Sequence, residues 1–169
     1  MLDFLFYKKL NSISENDESM FLSEIQDSKP LWMTANQKDD RNIDFIKDKP
    51  NAGFFICRLK RFPKITERLL ELFPEANIDN SYITKLLPGY RMLPHKDKNR
   101  FVAVIVPLGT NKGEINYYVY DKIICHHRYF GPILSRVDVD HSAYNDSDTD
   151  RLSITLEIKG SYMENWLRF

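Results

Sequence analysis

The sequence predicts a mainly β fold with flanking helices, and three observations carry that prediction. From residue 81 onward the chain runs in short β-like segments separated by turn residues, among them Pro88-Gly89, Gly109 and Gly131-Pro132. Residues 101–108 are apolar at almost every position, as a strand covered on both faces requires. Residues 151–158 alternate: Leu152, Ile154, Leu156 and Ile158 form one face, and Arg151, Ser153, Thr155 and Glu157 form the other. Strands at this spacing, with few helices between them, predict a sandwich or barrel.

The elements follow in order. Residues 1–60 read as a lead-in of mixed structure. Ser14, followed by Glu15, Asp17 and Glu18, marks a helix N-terminus, because acids suit the positive end of the helix dipole. Phe21 and Ile25 share its buried face, and Pro30 ends it. Residues 34–50 are polar and read as a loop or frayed helix, and residues 28–60 are a candidate substrate lid. Residues 54–59 read as a strand. A second helix opens at Pro63, carries an apolar stripe of Ile65, Leu69 and Leu72/Phe73, and stops at Pro74. Both helices are expected to cover one face of a sheet. Strands are then predicted at 82–87 and 101–108. A turn at 109–113 leads to a hairpin of 115–120 and 123–129 around Asp121-Lys122. Residues 133–139 carry the chain to His141, and 151–158 form the last strand.

The 169 residues fit one domain. Within it, residues 1–80 are expected as a support region, 81–158 as the β core and 159–169 as a C-terminal tail. With 43% apolar and 28% charged residues, the composition is that of an ordinary globular protein. Lysine plus arginine number 24 and aspartate plus glutamate 24, so net charge gives no reason to expect nucleic acid or an anionic membrane as partner. Nine tyrosines and eleven phenylalanines suit a well-filled β-rich core. The two cysteines, Cys57 and Cys125, make no disulfide framework and have no metal-ligand spacing, so they read as reduced core thiols. The apolar stretch 2–7 is too short for a secretory signal and contains Asp3, and no stretch is long enough to span a bilayer. A cytosolic location is expected. Nothing in the sequence speaks to oligomeric state.

The chemistry concentrates at Pro94-His95-Lys96-Asp97. Residues two apart in an extended chain point to one side, so His95 and Asp97 can aim an imidazole and a carboxylate at one point. His141 can supply a second imidazole. Two histidines and one carboxylate on one face of a metal leave the opposite positions open, as expected for a non-haem Fe(II) oxygenase. Arg151 follows His141 by ten positions and shares a strand face with Ser153. A guanidinium with a hydroxyl beside it suits the far carboxylate of a small diacid. From the strand alone, that polar face is either solvated or lines a polar cavity; His141 upstream favours the cavity.

The string His95-x-Asp97, His141, Arg151, Ser153 resembles the Fe(II)/2-oxoglutarate-dependent dioxygenases. Leu87-Pro88-Gly89, Leu93-Pro94-His95, Arg100, and His141 with Asn145 and Arg151 look like the aspartyl/asparaginyl β-hydroxylase-like branch. The resemblance covers residues 81–158. It implies a double-stranded β-helix, the jelly-roll of the cupin type. It also implies iron held by His95, Asp97 and His141, with O2 as oxidant, ascorbate as reductant in vitro, and 2-oxoglutarate as cosubstrate against Arg151 and Ser153. The implied reaction hydroxylates a C–H bond of an amino acid, peptide or other small substrate and releases succinate and CO2. The branch's name-giving enzymes lack the metal-binding carboxylate that Asp97 supplies here. Its presence completes the triad and argues against halogenation, which needs a small residue there.

Other residues carry two readings each. Arg100 is either a cosubstrate contact or a surface arginine, and Asn145 either a site residue or part of a turn. Tyr82 and Lys85, three apart in a strand, share no face. His126 and His127, as strand neighbours, point oppositely: one belongs to the core or pocket and the other to solvent. Asp138 and Asp140 either orient His141 or are solvated. The alternative function is a non-catalytic, cupin-like metal- or ligand-binding module.

Overall fold

A computed structural model describes residues 5–34, 53–97, 100–110, 113–128 and 131–159. The loop expected at 34–50 therefore lies almost wholly outside the described residues, as do residues 160–169 of the expected tail and much of the candidate lid. Ten strands, two α-helices and a short 3-10 helix (Leu59–Arg61) are seen in that range: β1 (Tyr7–Lys9), α1 (Glu15–Asp27), β2 (Met33–Thr34), β3 (Phe54–Arg58), α2 (Pro63–Leu72), β4 (Ala76–Leu86), β5 (Val102–Leu108), β6 (Glu114–Val119), β7 (Lys122–Arg128), β8 (Ile133–Arg136), β9 (His141–Tyr144) and β10 (Arg151–Ile158). They form a seven-stranded sheet in the order β1-β8-β5-β10-β4-β3-β2 and a three-stranded sheet in the order β7-β6-β9. Residues 91–95 add a further segment beside β9. The two sheets make a double-stranded β-helix.

Both helices form where the sequence places them. The Ser14 hydroxyl accepts from the Asp17 amide at 3.0 Å, and Phe21 and Ile25 are buried. Two acids of α1 bind elsewhere in the chain: Glu24 accepts from the Lys64 and Ile65 amides at the start of α2, and Glu18 accepts from the Gly109 amide. In α2, Ile65 and Leu69 are buried, whereas Leu72 is 37% exposed. Phe73, just past the helix end, takes the buried place instead.

These helices cover the outer face of the large sheet, where Val104, Val106, Ile154 and Leu156 join Phe21 and Leu69 in one core. Each such fully buried side chain contributes roughly 1.5–3 kcal/mol. A smaller apolar cluster between the sheets contains Phe6, Ile105, Tyr117, Cys125 and Ile133. The alternation of β10 divides these environments: Ile154, Leu156 and Ile158 join the helix-side core, and Arg151 and Ser153, also buried, face the other way.

Several boundaries differ from the expected ones. β4 starts at Ala76, because Asn77 and Ala76 continue the ladder against Glu157 and Ile158 beyond a register shift in β10. β1, unmarked in the sequence, pairs with β8, and β9 is a four-residue strand that periodicity cannot reveal. The β6–β7 turn falls at Tyr120-Asp121, one residue early. Val119 pairs with Lys122, and both turn residues have positive φ (48° and 61°), as a two-residue hairpin loop requires. β8 ends at Arg136, because the Val137 amide turns to the Phe101 carbonyl. Cys57 and Cys125 are free and buried, and burial pushes the Cys57 thiol up. Among the described residues, no helix is long and apolar enough to cross a membrane.

Candidate metal centre

His95 and His141 stand directly opposite one another, so both side chains emerge on the same face. A bulge makes this possible. Arg91 stands opposite Tyr144 and lies over its ring at 4.8 Å. His95 is four positions past Arg91, but Tyr144 is only three positions past His141. The extra residue lies in Leu93-Pro94, where a proline costs no ladder bond. Strict alternation would leave His95 on Arg91's face; the bulge turns it to that of His141.

Each imidazole is anchored through the same atom. His95 Nδ1 lies 2.9 Å from the Leu93 carbonyl, and His141 Nδ1 lies 2.9 Å from the Val139 carbonyl. A carbonyl can only accept, so Nδ1 is the donor in both rings and Nε2 is the nitrogen left to face a metal. Burial pushes the His141 pKa down to about 4, with His95 adding to the effect, which keeps this ring neutral.

Asp97 completes the group. Ligand atoms of His95, Asp97 and His141 all lie within 4.8 Å of one another. The Asp97 amide donates to the Val137 carbonyl at 2.7 Å, and Arg100 Nη2 donates to its carboxylate at 2.6 Å. Burial pushes the carboxyl up, but Arg100, together with His141 and His95, outweighs it and holds the pKa below the usual range. Arg100 is thus tied to Asp97, and its Nη1 is buried with no hydrogen bond among the described residues.

Arg151 and Ser153 lie on the inward face of β10. The Arg151 side chain crosses to the small sheet, where Nη1 donates to the Glu114 carbonyl at 3.5 Å. The Ser153 hydroxyl lies 2.8 Å from that of Thr84, its cross-strand neighbour. Thr84 escaped the sequence reading, as did the anchoring carbonyls of Leu93 and Val139. The one signal for these was position: each stands two residues before a candidate histidine.

The remaining candidates separate cleanly. Asp138 pairs with Arg136 and Asp140 with Lys96, so the Val139 carbonyl, not either acid, anchors His141. His127 is buried against Tyr7, and His126 is half exposed beside Asn116 and Glu114. Lys85 lies over the Trp32 and Phe55 rings, away from the inward face that holds Thr84 and Tyr82. Asn145 is fully buried and acts as a clamp. Its side-chain amide donates to the Leu86 and Thr149 carbonyls, and its backbone pairs with Gly89 and Tyr90.

Two imidazole nitrogens and one carboxylate, aimed at one point, fit a first-row divalent metal such as Fe(II).

Comparison with known proteins bears on the same architecture. The fold is similar to that of a 2OG-Fe(II) oxygenase family oxidoreductase from Burkholderia pseudomallei (TM-score 0.63, 13% identity, covering 92% of this chain and 86% of that one). HygX from Streptomyces hygroscopicus, solved with nickel, 2-oxoglutarate and hygromycin B bound, gives 0.61 at 10% identity, covering 95% and 85%. A prolyl hydroxylase from Trichoplax adhaerens, in complex with a hypoxia inducible factor peptide fragment, gives 0.59 at 14% identity, covering 93% and 84%. These are likenesses of fold. No family model matches the chain, and no curated protein matches it.

Proposed function

We propose that this chain is an Fe(II)- and 2-oxoglutarate-dependent oxygenase that hydroxylates a C–H bond of an amino acid, peptide or other small substrate. The observation that carries this reading is the convergence of His95, Asp97 and His141, with ligand atoms within 4.8 Å, inside a double-stranded β-helix. Iron, when bound with 2-oxoglutarate and O2, supplies oxidative decarboxylation to succinate and CO2, coupled to hydroxylation.

The chain's own residues do the positioning. His95 and His141 offer Nε2, because the Leu93 and Val139 carbonyls occupy Nδ1. Arg100 keeps Asp97 ionised and leaves its own Nη1 for the cosubstrate contact expected from the sequence. Arg151 and Ser153 receive the far carboxylate. The Thr84 hydroxyl donates to the Ser153 carbonyl and leaves its oxygen to Ser153 Oγ, 2.8 Å away, which fixes the serine side chain beside Arg151. The apolar cluster around Tyr117 and Ile105 keeps water from the space between the sheets.

Placement in the aspartyl/asparaginyl β-hydroxylase-like branch rests on the sequence motifs of residues 87–151. For the substrate, HygX was solved with a small molecule and the prolyl hydroxylase with a peptide, so this fold accommodates both kinds.

The test is succinate formation from 2-oxoglutarate with Fe(II), ascorbate and air, alongside anaerobic titration of iron and 2-oxoglutarate for a weak visible charge-transfer band. Turnover that disappears in Asp97→Ala supports the reading. Absence of both iron and 2-oxoglutarate binding overturns it in favour of a cupin-like binding module.

A further inference from the structure

Gly113 occupies a place no other residue can take without moving Arg151. It has φ of +61°, and a Cβ built on it would stand 2.3 Å from Arg151 Cδ and 2.6 Å from Nε. The Tyr144 carbonyl closes the third side at 2.9 Å. The next residue, Glu114, supplies the carbonyl that Arg151 Nη1 reaches. One end of the small sheet, where β6 starts and β9 finishes, therefore forms both the slot and the stop for a side chain rooted in the large sheet.

We infer that Gly113 is a positioning residue for the cosubstrate: lacking a Cβ, it leaves the slot through which Arg151 crosses between the sheets, and so fixes where the guanidinium meets the far carboxylate of a 2-oxo diacid. The inference rests on the reading of Arg151 given above and deepens it. The backbone of Tyr144 cannot yield as a side chain can, so an added methyl displaces Arg151. The atoms nearest an added Cβ belong to Arg151 and Tyr144 and none to His95, Asp97 or His141, so the loss falls on the cosubstrate and not on the metal.

Gly109 provides the control. Its φ is +73°, but nothing lies within 4 Å of an added Cβ. Gly109→Ala therefore imposes comparable backbone strain with no steric contact. The experiment measures anaerobic dissociation constants of the Fe(II)-loaded protein for 2-oxoglutarate and for 2-oxobutanoate, which lacks the far carboxylate, and of the metal-free protein for Fe(II).

Gly113→Ala is expected to weaken 2-oxoglutarate roughly tenfold or more, the scale of a lost charge-assisted contact. Its affinities for 2-oxobutanoate and Fe(II), and all those of Gly109→Ala, stay within about twofold. In an Arg151→Ala background, Gly113→Ala adds nothing, because its effect passes through Arg151. Equal effects of the two glycine variants, equal losses for both 2-oxo acids, or a Gly113 effect that persists without Arg151 would each overturn the inference. If Gly113→Ala alone does not fold, Gly113→Ala/Arg151→Ala must recover folding; failure to recover overturns it too. A wild-type protein that fails to prefer 2-oxoglutarate over 2-oxobutanoate would instead refute the reading of Arg151 itself, and the inference with it.

Discussion

His95 and His141 exchange backbone hydrogen bonds in both directions, each at 3.0 Å, and their rings lie 4.4 Å apart between centroids. The strand pairing itself sets the two rings side by side. Replacing either histidine with Ala should abolish iron-dependent turnover and raise the Fe(II) dissociation constant on the order of a hundredfold, the range by which even supporting groups affect metal sites. Circular dichroism should show the fold retained. Full activity in either variant would remove the triad from consideration.

The metal-free protein should lose stability on mild acidification. His141 has a folded pKa of about 4 against an ordinary value of 6.5. Above pH 6.5 neither folded nor unfolded chain is protonated here, so stability is at its full value. Between 6.5 and 4 only the unfolded chain takes up the proton, and stability falls as pH falls. The loss from this group approaches about 3 kcal/mol. Urea melts at pH 7.5 and 5, compared with those of His141→Gln, isolate it: the variant's stability should depend less on pH.

Arg100→Ala should act on the metal and not on the fold. Without its 2.6 Å partner, Asp97 loses the largest influence opposing its burial, and its carboxyl pKa rises. The Fe(II) affinity should fall roughly tenfold near pH 7 and fall further as pH is lowered, since a protonated carboxyl is a poor ligand. An unchanged affinity across pH would show that Asp97 needs no such support.

Arg151→Ala should weaken 2-oxoglutarate far more than iron, by up to about 3–5 kcal/mol for a desolvated ion pair. Thr84→Val, which keeps the shape and removes the hydroxyl, should cost about 0.5–1.5 kcal/mol in the same direction. Parallel calorimetric titrations with Fe(II) and with 2-oxoglutarate check both. A collapse of iron affinity without loss of cosubstrate would reassign Arg151.

Asn145→Ala should cost about 2 kcal/mol or more of folding stability, because it leaves the buried Leu86 and Thr149 carbonyls without their donors. Denaturant melts measure it. A variant within about 0.5 kcal/mol of wild type would mean that the loop finds other donors.

The comparison of sequence with structure has a physical pattern. Features set by local chemistry were legible: the Ser14 cap, the Pro63 start, the apolar run of β5, and the two-faced β10 with its buried Arg151. The residues that gather at the candidate centre were legible because each bears a reactive group. What escaped was made by partners distant in the chain. β1 and β9 are strands because a neighbour pairs with them, not because three or four residues favour one. The anchoring carbonyls carry no side-chain signature, and Thr84 gains its place only from lying opposite Ser153. Asn145 was visible as a motif but not as a clamp, since its partners lie at Leu86 and Thr149.

The bulge at Leu93-Pro94 makes the centre a matter of odd and even. The step from Arg91 to His95 is even and the step from Tyr144 to His141 is odd, so the two segments cannot pair straight through and still meet at both ends. With every residue kept but the bulge ironed out, His95 would fall on the side of Arg91 and Tyr144, away from its counterpart. How the two segments pair is thus as much a requirement of this site as which ligands they carry.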